Sequence, residues 1–322
     1  MKKIYITGQI PNVGVEMLAK RGFSVDVNEA GKNLTKVELK NVFGQYDAVL
    51  TLMTDKINEE VIGAASPKLK IIANFAVGFD NIDVLAAKRR GIIVTNTPGV
   101  AGESVAEHTF MLILACAKKL IEADRYVRGG KYQRWDPMAF LSGQIWGKTI
   151  GIVGLGRIGT YVGHIAYGGF RMKILYYDIV RSEDFEMLTE AQLVSLEQLL
   201  GESDFVTLHI PLTYNTRHLI AKKELALMKN SAILINTSRG AVVDEKALVE
   251  ALSKKKIAAA GLDVYEHEPT VPMELRTLAN VVLTPHSASA TYETREAMAK
   301  IAAQNIIDVF EGKTPAGLVR VS

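Results

Sequence analysis

One cysteine in 322 residues, Cys116, rules out an internal disulfide and fits a reducing compartment. It lies in an apolar helical run, so it reads as a buried thiol rather than a nucleophile. Charge of neither sign dominates: 38 Lys and Arg are set against 35 Asp and Glu, a net +3, interspersed along the chain. That balance leaves no electrostatic footprint for nucleic acid or a membrane surface. Long apolar runs are missing as well. The most apolar stretch, Phe110 to Ala117, is flanked by His108 and by Lys118-Lys119, and it falls far short of the roughly 20 residues of a membrane span. Met1 to Gly8 carries two lysines but lacks the apolar segment of about 7–15 residues found in a signal peptide. It reads as a first buried strand, and the cytoplasm is the expected compartment. No histidine or cysteine spacing resembles a metal site, and none is expected. What remains, 48% hydrophobic and 23% charged, is an ordinary globular composition on a chain long enough for two cores.

Short apolar runs alternate with helix-like segments from end to end, the pattern of parallel sheets covered on both faces. A first set of strands is expected at Ile4–Thr7, Ser24–Val27, Ala48–Leu52, Ile71–Phe75 and Ile92–Thr95. A second is expected at Thr149–Val153, Lys173–Tyr177, Phe205–His209, Ala232–Asn236, Ala258–Leu262 and Val281–Thr284. Two successive doubly wound α/β units therefore share the chain, with the turn Thr97-Pro98-Gly99 marking their boundary. After it, Glu103 to Arg125 reads as one long helix, apolar on every side at its middle and so buried between layers or subunits. Tyr292 to Phe310 reads as a final helix. Packed back on the first unit, it makes that domain discontinuous.

The second unit opens with the most informative stretch. Thr149–Val153 runs into Gly154-Leu155-Gly156-Arg157-Ile158-Gly159, then a helix, then a strand ending on Asp178, 19 residues after Gly159. Strand, glycine turn, helix and strand-end acid together make the dinucleotide fingerprint, whereas a lone GxGxxG is weak. Gly154 allows the tight turn, Gly156 lets the backbone approach a pyrophosphate, and Gly159 lets helix and strand pack closely. The helix N-terminus, beginning at Arg157-Ile158, offers free N–H groups and the positive end of its dipole to phosphate. Asp178 accepts from both ribose hydroxyls and repels a 2′-phosphate, which favours NAD over NADP. Arg181, three residues on, is the feature that favours a 2′-phosphate.

A bound dinucleotide leaves the reaction open, so polar residues at the carboxyl ends of the strands decide it. They are Thr237-Ser238-Arg239-Gly240, Asp263 to Pro269, Pro285 to Ser289, Ala76 to Asp80, and His209 to Thr213. Singly, Arg239 reads as a turn residue, Glu268 as a loop acid before a proline, and His286 as a loop histidine after one. Three such residues at strand ends beside a fingerprint carry a stronger reading.

On these residues the chain resembles the D-isomer-specific 2-hydroxyacid dehydrogenase family over essentially its whole length. The similar stretches are Asn74 to Asp83, Gly147 to Gly159, His209 to Thr216, Asn236 to Asp244, Ala260 to Pro269 and Thr284 to Thr291. Arg239, Glu268 and His286 match the family's catalytic residues in motif and order. The resemblance implies a flavodoxin-like substrate domain over residues 1–98 with 287–322, a Rossmann NAD-binding domain over 99–286, and an active-site cleft between them. It implies that Val77-Gly78 binds the substrate carboxylate through backbone amides and that Leu52 and Met53 line the substrate pocket. It also assigns His209, Pro211 and Thr216 to the adenosine and phosphate side, Asp263 to the nicotinamide carboxamide, and Thr237 and Ser289 to weaker cofactor contacts. A homodimer through the cofactor domain is implied, with Trp135 reaching the partner subunit's site; a packing role for that tryptophan stands equally. The other histidines, His108 and His164 in helices and His218 and His267 in loops, read as structural.

The chemistry fits these residue types. Reducing a 2-keto acid requires a hydride at the carbonyl carbon and a proton at its oxygen. Histidine, with an unperturbed pKa of about 6.5, donates that proton near neutrality, and a carboxylate beside it stabilises the imidazolium and orients the ring. Arginine stays charged, grips a carboxylate in a fork and polarises the adjacent carbonyl. Within the family, Glu268 stands where formate dehydrogenases have glutamine. The short interval from Glu268 to His286, and Trp135, resemble the glyoxylate/hydroxypyruvate reductase branch, while Ser287-Ala288 and Gly102 to Val105 depart from it. The expected activity is NADH-dependent reduction of a small 2-keto acid, glyoxylate or hydroxypyruvate. D-lactate, D-3-phosphoglycerate or phosphite dehydrogenase are the alternatives, as is, in a different class, an NADH-sensing corepressor-like binding protein.

Overall fold

The computed structural model describes residues 1–320, so the last two residues of the expected first domain, 321 and 322, lie outside the described residues. The chain divides into two compact units, Met1–Ala101 with Ala290–Ser322, and Gly102–Ser289. The division falls where a helix begins, at Gly102, just past the Thr97–Gly99 turn. No helix among the described residues is long and apolar enough to cross a membrane.

The first unit is built on a parallel sheet of β1 (Lys3–Ile6), β2 (Ser24–Val27), β3 (Ala48–Leu52), β4 (Ile71–Phe75) and β5 (Ile93–Thr95). Its order, β2-β1-β3-β4-β5, is the flavodoxin-like winding. Side chains alternate across the pleat, and both faces are buried. Ile4, Ile6, Leu50, Ile71 and Ala73 face one way, onto Met298, Ala299, Ala302, Ala303, Ile306 and Ile307 of the helix Tyr292–Phe310. Val49, Ile72 and Val94 face the other way, against Leu39, Phe43, Val61 and Ile62. Each buried Ile or Met on the C-terminal helix stabilises this unit by about 1.5–3 kcal/mol, which is why the chain returns to it. Thr291 caps that helix, accepting from the Thr294 amide at 3.2 Å.

The second unit holds a seven-stranded parallel sheet: β6 (Thr149–Val153), β7 (Lys173–Tyr177), β8 (Gln192–Leu193), β9 (Phe205–Leu208), β10 (Ile233–Asn236), β11 (Ala259–Leu262) and β12 (Val281–Leu283). The order is β12-β11-β10-β9-β6-β7-β8, a Rossmann winding whose direction reverses between β6 and β9. Both expected doubly wound parallel sheets are thus present, the second with one more strand than the sequence suggests. That strand, β8, is two exposed residues long and has no apolar run to announce it.

The expected long helix is a second correction. The chain forms Gly102–Ala117 and Leu120–Arg128, broken at Lys119, whose φ is 54°. The first helix buries Ala106, Phe110, Leu112, Ile113 and Ala117 in the core of the unit and leaves the apolar Met111 and Leu114 exposed on its other side. The second buries nothing within the unit. The core contact ends at Ala117, and the helix ends with it.

Candidate active site

Leaving β6, the chain turns at Gly154, whose φ of +94° is strained for any L side chain. A Cβ there would lie 2.7 Å from the His209 carbonyl oxygen, and one on Gly159 would lie 2.1 Å from that of Gly154. The protein's own packing requires both glycines. Gly156 differs, because its φ is −72° and an added Cβ would meet nothing within 4 Å. Its missing side chain relieves no protein contact; it leaves room for a group that is not protein. The helix Arg157–Phe170 starts beside it with no side-chain cap and no acid in its first turn, so its first N–H groups keep their capacity for an anion. Ile158 packs into the core, while Arg157 is exposed.

Asp178, at the tip of β7, closes the turn from the other side. Its carboxylate accepts from the Leu155 amide at 2.6 Å and from the Val180 amide at 3.1 Å. Across the switch point, β9 runs into His209 and Pro211. Among the described residues both ring nitrogens of His209 are shielded from solvent without a hydrogen-bond partner, and burial pushes its pKa down to about 3. Unpartnered polar atoms and a cradle that a Cβ would enter, at the switch point of an open α/β sheet, fit a dinucleotide.

Arg239, Glu268 and His286 follow three neighbouring strands. β10, β11 and β12 are in register at Asn236, Leu262 and Leu283, so their carboxyl ends form one row. His286 Nδ1 lies 2.7 Å from Glu268 Oε2, and Glu268 Oε1 accepts from the Tyr265 amide at 2.9 Å. A carboxylate only accepts, so Nδ1–H is the donor of this bond and Nε2 is the ring nitrogen left outside it. The backbone of His286 has φ 53°, in the left-handed region. It is held there by its own amide on the Asp263 carbonyl at 2.8 Å, and by the Ser287 and Ala288 amides on the Asp263 carboxylate at 2.9 and 2.8 Å. Burial acts to raise the pKa of Asp263, but hydrogen bonds from His108, Thr284, Ser287 and Ala288 outweigh it and leave the carboxyl below its ordinary range. On the Arg239 turn, Asn236 donates to the Arg239 carbonyl at 2.9 Å and accepts from the Ser238 amide at 3.0 Å. A Cβ on Gly240 would lie 1.9 Å from the Tyr265 carbonyl carbon, so the turn bearing Arg239 rests directly on the loop bearing Glu268.

Three expected cofactor residues spend hydrogen bonds inside the protein. Asp263 builds the His286 loop. Thr237 is buried with its hydroxyl 3.1 Å from that of Thr109. Thr216 donates to the Pro211 carbonyl at 2.6 Å and accepts from the Thr213 amide at 2.7 Å, closing its own loop. Ser289 is half-buried at the end of the second unit. In the first unit, Leu52 ends β3 with Met53 next after it, and Val77-Gly78 lie just past the end of β4. The Leu52 amide donates to Thr7 at 3.0 Å and to Asp55 at 2.8 Å. Asn96 holds the Val77 carbonyl at 2.7 Å and Asn74 that of Gly78 at 2.9 Å. Asn81 joins the two loops by donating to the Leu52 and Asp55 carbonyls at 3.2 and 3.0 Å. Sequence reasoning assigned these supports no role. The available signal was Asn74, an amide inside the run Ile71-Ile72-Ala73-Asn74-Phe75 with no exposed surface. His108, read as structural, places Nε2 3.0 Å from Thr284 Oγ1 and 3.4 Å from Asp263. Trp135 is 76% exposed, in the stretch 129–148 that has no helix or strand.

Comparison with known proteins agrees with this geometry. The family model for D-isomer specific 2-hydroxyacid dehydrogenase, NAD binding domain, matches residues 110–288. The chain is 49% identical over 320 residues to a glyoxylate reductase of Korarchaeum cryptofilum, covering 98% of this chain and 95% of the relative. Among solved structures, a protein of Thermus thermophilus matches with a TM-score of 0.92 at 40% identity, covering 99% of this chain and 100% of that one. An NADPH-dependent glyoxylate/hydroxypyruvate reductase from Sinorhizobium meliloti, in complex with NADP and malonate, matches with a TM-score of 0.88 at 32% identity, covering 99% and 96%. Identity of this depth along nearly the full length, on the sheets and strand ends just described, makes the chain a member of the D-isomer-specific 2-hydroxyacid dehydrogenase family.

Proposed function

We propose that the chain reduces small 2-keto acids to D-2-hydroxy acids with NADH, glyoxylate and hydroxypyruvate foremost. The observation that carries this reading is the His286–Glu268 pair at 2.7 Å, one strand end away from Arg239. The dinucleotide, when bound, supplies the hydride. His286 delivers the proton from Nε2 to the substrate oxygen and, in the reverse direction, removes it there. Glu268, fixed by the Tyr265 amide, holds the imidazole in one tautomer and faces its charge when protonated. Arg239 grips the substrate carboxylate and polarises the neighbouring carbonyl.

In the same reading the first unit is the substrate domain, with the Val77-Gly78 amides taking the carboxylate and Leu52 and Met53 forming apolar lining, and the second unit is the cofactor domain. The Gly154–Gly159 turn takes the pyrophosphate, and Asp178 the ribose hydroxyls, which supports NADH as the preferred cofactor. A homodimer through the cofactor domain is part of the proposal. It is supported by the exposed Met111, Leu114, Leu120 and Val127 on the two helices and by Trp135, Met138 and Trp146 after them, more apolar surface than scattered singles account for. Trp135 then reaches toward the partner's site. Cytoplasmic residence completes the reading and rests on Cys116, the one cysteine, which is a free thiol.

The test follows oxidation of NADH, and in parallel NADPH, with glyoxylate, hydroxypyruvate, pyruvate and phenylpyruvate. Turnover of the two small substrates with NADH is expected. Activity confined to pyruvate or bulkier acids moves the chain to another branch of the family. Tight NADH binding without turnover of any of them replaces the enzyme reading with a sensor.

A further inference from the structure

Arg181 is the cation of the loop that follows β7, three residues past Asp178, the region from which a Rossmann domain meets the adenosine 2′ position. Its guanidinium is forked onto Glu186: Nε is 3.1 and 3.0 Å from the two carboxylate oxygens, and Nη2 is 2.7 Å from Oε2. Glu186 is itself anchored. Its Oε1 accepts the Tyr176 hydroxyl at 2.7 Å, and that hydroxyl accepts the Ser182 amide at 3.0 Å. Tyr176 is fully buried in β7, and the Glu186 side chain is 15% exposed against 61% for Arg181. The acceptor is therefore preset, and the arginine folds down onto it. Arg181 first, and Tyr176 next, hold the Glu186 carboxyl below its usual range.

We infer that Glu186 is a specificity-determining residue that withholds the Arg181 guanidinium from a 2′-phosphate, so that Arg181, although placed to favour NADPH, does not. The inference rests on the reading above that the Gly154–Asp178 turn binds the adenosine side of a dinucleotide. An ion pair between two free surface side chains is a weak lock. Here one partner is already ordered by Tyr176 and the fork is bidentate, which adds both strength and direction. A 2′-phosphate must break that fork while facing the charge of Asp178. A ribose with a free 2′-hydroxyl needs no cation, and the pair leaves its binding undisturbed.

The test reads binding, not turnover. Fluorescence titration of the intact chain with NADH and with NADPH, without keto acid, gives the ratio of the two dissociation constants. Glu186→Gln keeps an acceptor for the Tyr176 hydroxyl but removes the charge that holds Arg181. It is expected to tighten NADPH by roughly tenfold, the scale of one charge-assisted contact, while NADH changes by less than about twofold. The gain is expected to vanish when Arg181→Ala is added to Glu186→Gln. A Glu186→Gln variant of unchanged thermal midpoint and unchanged NADPH affinity overturns the inference. So does a gain that survives the loss of Arg181, since charge removal alone then explains it. A wild-type chain that binds neither dinucleotide sinks the cofactor reading instead, an outcome visible before any variant is made.

Discussion

His286 and Glu268 are joined by a single hydrogen bond of 2.7 Å, and the free oxygen of Glu268 is taken by the Tyr265 amide at 2.9 Å. Two donors thus converge on one carboxylate. Glu268→Gln offers one acceptor oxygen and one NH₂, so either the ring or the amide faces a donor. Losing one hydrogen bond to a charged group costs roughly 1.5–3 kcal/mol, and kcat is expected to fall roughly 10- to 100-fold. His286→Ala, which removes the proposed proton donor, is expected to lose about 10²–10⁴-fold. Neither change is expected to move NADH affinity, so titration beside steady-state kinetics checks both. A matching loss of NADH binding would take the pair out of the chemistry.

The three fingerprint glycines make a sharper test, because they divide by what they touch. A Cβ on Gly159 collides with the Gly154 carbonyl at 2.1 Å, and backbone on both sides leaves no soft partner to yield. Gly159→Ala is expected to lower stability by about 1–3 kcal/mol or more, as overpacking does, seen as a lower denaturant midpoint. Gly156→Ala meets nothing in the protein and has an unstrained φ of −72°. Its midpoint is expected to stay put while NADH affinity falls at least about tenfold. Equal midpoints and equal affinities for the two variants would show that the turn does not cradle the dinucleotide.

How far the sequence carries this structure depends on where each residue's partner lies. Gly154, Asp178, Arg239, Glu268 and His286 are legible because each follows an apolar run, and parallel strands buried on both faces read as such runs. The break at Lys119 leaves no such trace: the helical pattern simply changes from buried to exposed between Ala117 and Leu120. Partners are harder still. His108 meets Thr284 from 176 residues away, and Asp263 meets Ala288 from 25. Nothing in one chain's pattern specifies such pairs. Asn74 and Asn81, which bind the Leu52 and Val77 loops together, are ordinary polar residues until the loop after β4 folds Asn81 back beside Asn74. Even Arg181 finds its carboxylate only once the helix from Glu183 turns Glu186 toward Tyr176.

His209 links the site to pH. Burial depresses its pKa to about 3, against about 6.5 in an unfolded chain. Between those values the unfolded chain takes up a proton that the folded chain refuses. Stability held by the neutral ring is therefore complete above about pH 6.5 and is lost as pH falls toward 3, by at most about 1.4 kcal/mol per pH unit for one group. His209→Gln cannot titrate. Urea unfolding between pH 7 and 4 is expected to show a shallower loss of stability in the variant than in the parent, and parallel curves would mean that His209 titrates freely in the fold.

Asp263 is the residue for which two roles compete, and a single variant separates them. With no exposed surface, it accepts from Thr284 Oγ1 at 2.6 Å and from the Ser287 and Ala288 amides at 2.9 and 2.8 Å. Those two amides immediately follow His286, so the carboxylate sets the left-handed turn that presents the imidazole. Asp263→Asn replaces one acceptor oxygen with NH₂, which must then face a donor, at a cost of about 1–3 kcal/mol. If building the loop is its work, the midpoint and kcat fall together while NADH affinity holds. If instead it grips the nicotinamide carboxamide, NADH affinity weakens, by roughly tenfold for one charge-assisted hydrogen bond. Thr284→Val removes one donor and spares both amides, so the loop reading requires it to lower the midpoint less than Asp263→Asn and to leave more of kcat. A Thr284→Val variant as impaired as Asp263→Asn would mean that the hydroxyl, and not the amides, holds the turn beneath His286.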